Sequence, residues 1–168
     1  MKDVTLKVQD PTEEAFAPYG QYVRTDQQNP AFEGELFNFW NKLSILDLKS
    51  VSVGVVQSFP QKEMVNTAFE QHAKTTETLI PADGEIILVL AEPDSSDTTK
   101  INLDTVKAFR LKAGDAVVLH RNTWHFAPLV KGKAVKTWVI FEEDTPDDDL
   151  FMRHVDQENE TRFLITGA

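Results

Sequence analysis

Three of the four histidines in this chain fall within two short windows that also carry carboxylates. The first runs Glu70-Gln-His72-Ala-Lys-Thr-Thr-Glu77 and continues to Gly84; the second runs from Gly114 through Leu119 to His120-Arg-Asn-Thr-Trp-His125. Residues two apart on an extended strand share a face, so Glu70 and His72 point the same way. Glu77 follows five residues after His72, and a bend at Lys74 to Thr76 would bring it back from the adjoining strand. The second window leaves a turn at Gly114 and ends in two histidines five apart. His72, Glu77 and His125 together offer borderline nitrogen and hard oxygen, a mixture that suits Mn, Fe, Co, Ni or Zn. A lone histidine would more simply be a surface or hydrogen-bonded core ring; the clustering is what points to a metal.

Composition narrows the chemistry further. With no cysteine, the chain has no disulfide, thiolate metal site, Cys nucleophile or thiol redox step. Seventeen Lys and Arg against 27 Asp and Glu give a formal charge of −10, which argues against a nucleic-acid partner, because such binding draws on clustered cations. The longest apolar run, Ile86 to Ala91, falls far short of the roughly 20 residues needed to cross a bilayer. The N-terminal MKDVTLKVQD lacks the apolar core of a signal peptide, and the expectation is a soluble, cytoplasmic protein. A length of 168 residues suits a single domain spanning 1–168.

The elements that must position these groups read mostly as strands. Thr12 can cap a short helix begun by Glu13 and Glu14 and stopped by Pro18 and Gly20. Beyond it, β-rich runs separated by turn residues span 35–40, 50–59, 64–70, 76–80, 85–91, 106–111, 116–119 and 135–141. Their even spacing predicts an antiparallel sandwich or barrel rather than β-α-β units. Pro81 to Gly84 and Lys112 to Asp115 read as tight turns, and Glu92 to Lys100 as a hairpin loop. The acidic stretch Glu142 to Asp149 lacks calcium-loop spacing and reads as a solvated loop. The tail from Leu150 carries a mixed pattern that fits a helix followed by a strand.

The two windows, E-x-H-x4-E-x6-G and G-x5-H-x-N-x2-H, resemble the paired motifs of the cupin superfamily, H-x-H-x3-4-E-x6-G and G-x5-P-x-G-x2-H-x3-N. His72, Glu77, Gly84, Gly114 and His125 agree in type; Glu70, His120, Asn122 and Leu129 stand where that pattern has His, Pro, Gly and Asn. Asn tolerates the left-handed backbone a Gly would adopt there. Within the superfamily, Glu14 to Gly20, Glu70 to His72, Leu103 to Phe109 and above all His120 to His125 resemble the ureidoglycolate lyases. The resemblance covers about residues 10 to 130. It implies an all-β, cupin-type double-stranded β-helix (a jelly-roll barrel) with short peripheral helices, a homodimer, and cleavage of (S)-ureidoglycolate to glyoxylate and urea in purine (allantoin) catabolism. Members of that family usually carry Gln at Glu77, an Arg near Gln57 and another near Glu142 or Glu143.

On that resemblance, His72, Glu77 and His125 would hold a divalent ion (Ni, Mn, Zn or Fe), with Glu70 a fourth ligand or the catalytic base. His120 is the alternative acid/base, since imidazole titrates near working pH. Lys74, Arg121, Asn122 and Trp124 would meet the substrate, with Lys74 or Arg121 orienting its carboxylate. Trp124 fits a wall or core position better than a reacting one. Phe39, Trp40 and Trp138 are expected to fill the barrel or line its mouth. Two alternatives remain on the residues alone: a metal-dependent cupin isomerase or lyase acting on a sugar or other small hydroxy or keto compound, and a non-catalytic small-ligand-binding cupin without metal.

Overall fold

In a computed structural model describing residues 1–168, the chain folds into β1 (Lys2–Lys7), α1 (Glu13–Phe16), β2 (Gly20–Val23), β3 (Phe32–Glu33), β4 (Asn38–Phe39), β5 (Val51–Ser58), β6 (Val65–Asn66), β7 (Ala68–Gln71) and β8 (Glu77–Pro81). There follow β9 (Ile86–Leu90), β10 (Lys107–Leu111), β11 (Ala116–Leu119), β12 (Val135–Glu142), α2 (Thr145–Asp148), β13 (Phe151–His154), α3 (Val155–Glu158) and β14 (Thr161–Thr166). The fold is all-β, with three one-turn helices at its periphery.

One layer is an antiparallel sheet in the order β2-β11-β8-β12-β5. The facing layer starts with the β9–β10 hairpin. It continues through bridges Ala91↔Trp124, Ile87↔Leu129 and Glu70↔His125, so residues 124–129 run between β9 and β7, and β7 pairs with β13. Phe16, Tyr19, Leu79, Leu88, Phe109, Val117 and Val139 belong to the core between these layers. A second core, including Phe69, Ile87, Val89, Ala108, Trp124, Phe163 and Ile165, lies on the other side of β9, under β14. This explains the apolar run at 86–91: Ile86, Leu88 and Leu90 face one core while Ile87 and Val89 face the other, as in any strand covered on both sides.

Local chemistry sets the punctuation. Thr12 accepts the Ala15 N–H and caps α1. The helix stops at Phe16, a turn before the predicted Gly20, because Gly20 is the first residue of β2. There its backbone passes so close to Val118 that any Cβ would strike the Val118 carbonyl oxygen, a position only glycine fills. Gly114 takes a left-handed φ of 90° in the turn before β11. The tail pairs differently from a simple meander: β14 lies parallel to β1, with Lys2 opposite Thr161.

Three aromatic expectations are corrected. Trp138 is 47% exposed because β12 alternates, with Val135, Thr137 and Val139 inward and Lys136 and Trp138 outward. Phe39 is half exposed on the small β3–β4 hairpin, and the Trp40 indole donates to the Gln28 carbonyl. None of the three belongs to either core. No helix is long and apolar enough to cross a membrane.

Candidate metal centre

β7 delivers Glu70 and, at its end, His72. A bend at residues 73–74 then returns the chain to β8, whose first residue is Glu77. His125 arrives from the facing segment, its peptide paired with Glu70 through N–H···O bonds of 2.6 and 2.9 Å. Glu70, His72 and His125 present ligand atoms that all lie within 4.8 Å of one another, a triad with Glu70 in place of the Glu77 expected beside the two histidines.

Glu77 occupies the meeting point of the two rings. Its Oε2 accepts from His125 Nε2 at 2.8 Å and lies 3.1 Å from His72 Nε2. Each ring is also held from behind. His72 Nδ1–H donates to the Asp149 carbonyl at 2.6 Å, and His125 Nδ1–H to the Thr123 carbonyl at 2.9 Å. Because each Nδ1–H is held by a backbone carbonyl, Nε2 is the atom each ring turns toward Glu77, and it is the atom that would ligate a metal once its own proton is displaced. The donor set, two imidazoles clustered with the Glu70 carboxylate and a second carboxylate, Glu77, against both rings, fits a divalent first-row ion.

Electrostatics separates the two carboxylates. Burial works against the Glu77 charge, but the His125 charge and hydrogen bond, with that of His72, hold the carboxyl down at about 2. Glu70, whose side chain is 24% exposed, moves the other way: burial raises it, opposed by the His125 charge and helped by that of Glu77. Burial would lower the His125 ring, yet the charge and hydrogen bond of Glu77, then the charge of Glu70, push it up to about 9. His72 is also raised; burial opposes its charge, but the Glu77 hydrogen bond and charge together with the Asp149 carbonyl outweigh burial and the His125 charge. Glu77 is thus fixed as an anion while Glu70 is the easier group to protonate.

A cavity of about 250 Å³ opens onto Glu70, His72 and Glu77, with walls from Val55, Val56, Val139, Phe141, Pro146 and Leu150. No Lys or Arg lines it. The family described as ureidoglycolate lyase matches residues 3–161 of the chain. The chain belongs to the ureidoglycolate lyase family. Ureidoglycolate lyases of Escherichia coli O139:H28 and Shigella boydii serotype 18 are each 25% identical over 154 residues, covering 85% of this chain and 90% of the relative. Among solved structures, an oxalate oxidase in complex with the substrate analogue glycolate is 21% identical with a TM-score of 0.45, over 63% of this chain and 46% of that one. An oxalate decarboxylase of Lactobacillus farciminis in a formate complex is 14% identical with a TM-score of 0.43, over 66% of this chain and 28% of that one. The chain spans less than half the length of either of these solved chains.

The other residues expected at the lyase site lie elsewhere. His120 is exposed, and its Nε2 donates to the Ala17 carbonyl beside α1, outside the cavity. Trp124 is fully buried in the second core, its indole N–H spent on the Lys100 carbonyl, so it contributes packing rather than a substrate contact. Asn122 adopts φ 66° and donates its backbone N–H to the His72 carbonyl at 2.8 Å. Arg121 Nε donates to the Lys74 carbonyl, and Lys74 Nζ to the Asp148 carboxylate. Both cations line a separate cavity with Asp47, Glu142, Glu143 and Asp144. The physical reason is the sharp left-handed turn at Asn122, which leaves His72 and His125 inside while His120 and Arg121 face outward.

The acidic stretch is also corrected. It is structured: Glu142 accepts the Lys49 and Ser50 N–H groups, 145–148 form α2, and Asp149 is 2% exposed. Nothing in the run of carboxylates distinguishes Asp149 from its neighbours, except that apolar Leu150 follows it.

Proposed function

We propose that this chain cleaves ureidoglycolate to glyoxylate and urea with a divalent ion held by His72, Glu77 and His125, and that Glu70 is the base. The observation that carries the reading is the division of the two carboxylates around two imidazoles whose Nε2 atoms converge on one Glu77 oxygen. Pairs of titratable groups pushed apart by their surroundings take opposite roles. The bound ion, Ni, Mn, Zn or Fe, supplies Lewis acidity that lowers the pKa of the substrate hydroxyl. Glu70 takes the hydroxyl proton, the C–N bond breaks with its electron pair leaving on nitrogen, and the aldehyde of glyoxylate forms. The protonated Glu70 then returns the proton to the departing urea nitrogen, so one carboxyl serves both steps.

One observation favours a second reading. The cavity has no cation of its own, as a neutral hydroxy or keto compound would require. Supplying metal to purified protein and measuring glyoxylate and urea release, beside a panel of small sugars and keto compounds, separates the two. His72→Ala and His125→Ala are expected to lose both bound metal and product release; variants that fold and retain both would refute the assignment.

The homodimer implied by family membership is proposed to form along β5. This strand is the edge of its sheet and carries Val51, Val53 and Val55 exposed, beside Trp138 of β12. Open edges without Pro or Lys are templates for pairing, and a grouped apolar patch marks an association surface. The setting is proposed to be the cytoplasm, in purine (allantoin) catabolism.

A further inference from the structure

We infer that Asp149 is a positioning residue of the metal centre, a clasp that holds His72 from the far side of the acidic turn. The inference rests on the metal-site reading above. Asp149 lies 77 residues from His72 in sequence yet meets three successive residues there, the His72 ring and the backbone N–H groups of Ala73 and Lys74. Its carboxylate accepts the Ala73 and Lys74 N–H groups at 2.8 Å each, and its own carbonyl accepts His72 Nδ1–H. A buried carboxylate is tolerated only when its lone pairs are met, and two backbone donors at this distance are charge-assisted bonds. The opposite side of the same segment is closed by Asn122, whose N–H meets the His72 carbonyl, and by Arg121 on the Lys74 carbonyl.

The consequence for the site is twofold. Fixing the proton on His72 Nδ1 leaves Nε2 as the ligand atom and sets the ring plane, which second partners of metal-binding histidines do. The turn that carries Asp149 also supplies Pro146 and Leu150 to the cavity wall. One residue thus ties a ligand to part of the substrate's surroundings: its carboxylate fixes the turn against Ala73 and Lys74, and this holds its carbonyl on the His72 ring. Its neighbour Asp148 makes only an exposed ion pair with Lys74, a kind of contact that contributes little. Asp148 is therefore the internal control.

The test compares wild type with Asp149→Ala, Asp149→Asn and Asp148→Ala. Ni²⁺ is loaded into each protein and withdrawn with a competing chelator. Asp149→Ala is expected to weaken Ni²⁺ binding by about 10- to 100-fold, the range for loss of a second partner, while Asp148→Ala stays within twofold. Alanine keeps the carbonyl but loses the carboxylate bonds that hold it against the ring, so in metal-free protein the slowly exchanging His72 Nδ1–H resonance is expected in wild type and Asp148→Ala and absent in Asp149→Ala. Should Asp149→Ala fail to fold, Asp149→Asn, which keeps the side-chain shape but loses one acceptor, is read by the same two measurements. Retention of Ni²⁺ affinity within twofold, together with an unchanged His72 Nδ1–H resonance, overturns the clasp. If wild type itself binds no metal, the metal-site reading fails, and the His72 resonance alone decides the clasp.

Discussion

Replacing Glu77 by Gln removes the charge that both histidines share and should be felt in the metal-free protein as a change in the pH dependence of folding. His125 ordinarily titrates near 6.5 and is pushed up to about 9 in the folded chain, while Glu77 falls from 4.5 to about 2. At about 1.4 kcal/mol per tenfold change in protonation equilibrium, either displacement corresponds to roughly 3 kcal/mol. Both describe one interaction, so they are counted once. A group raised on folding stabilises fully below its unfolded value and loses that contribution as pH rises through its folded value. The His125 contribution is thus whole below 6.5 and gone above about 9. Glu77 behaves conversely, its contribution whole above 4.5 and lost as pH falls through about 2. Metal-free wild type should therefore be steady from 4.5 to 6.5 and decline toward pH 9. Glu77→Gln should be less stable by about 3 kcal/mol at pH 6, lowering Tm by roughly 6–12 °C for a chain of this size, and should lose the alkaline decline. Urea unfolding followed by circular dichroism across this pH range measures both. Parallel curves for the two proteins between pH 6.5 and 9 would refute the ion-pair account.

Glu70→Gln should bind metal nearly as wild type but lose about 10²- to 10⁴-fold in kcat, the range for a missing general base; a comparable loss of metal affinity would make Glu70 a ligand instead. Trp124→Ala should destabilise by about 3–5 kcal/mol in chemical denaturation, with KM of the folded fraction unchanged, because it empties core volume rather than a binding wall. Arg121→Ala should leave KM for a carboxylate substrate within about twofold, since its Nε is committed to the Lys74 carbonyl outside the cavity. Val53→Glu should convert a sedimenting dimer to monomer without changing metal content; unaltered sedimentation would remove β5 from the interface.

Much of the site was legible because strand geometry is local. The two-residue step from Glu70 to His72 and the bend before Glu77 are set by chain stiffness within eight residues; the structure has both, with His72 just past the end of β7 and the bend at 73–74 rather than 74–76. Asn122 could likewise be read as left-handed from its type alone. What escaped depends on distant pairing. Lys2 and Thr161 meet in a parallel pair that no short-range pattern encodes. Phe39 and Trp138 look like core residues by type, yet alternation and a surface hairpin expose them. Asp149 sits in an acidic run whose composition predicts solvation, and only the fold brings its carboxylate to the Ala73 and Lys74 amides.

The protonated and metal-loaded forms of this cluster are electrically alike. When both rings carry Nε2 protons, two positive charges face Glu70 and Glu77; a divalent ion that displaces those two protons brings the same two charges to the same point. Binding would then exchange charge without adding any to a buried space: the carbonyls of Asp149 and Thr123 would keep their Nδ1–H partners, while Glu77 would trade two N–H donors for the ion. The same balance governs substrate. Lys74 and Arg121 are spent on backbone and on Asp148, and the cavity walls are otherwise apolar. An anionic substrate entering this cavity would find positive charge only at the histidine and ion cluster, so recognition of a carboxylate and its activation depend on the same few atoms.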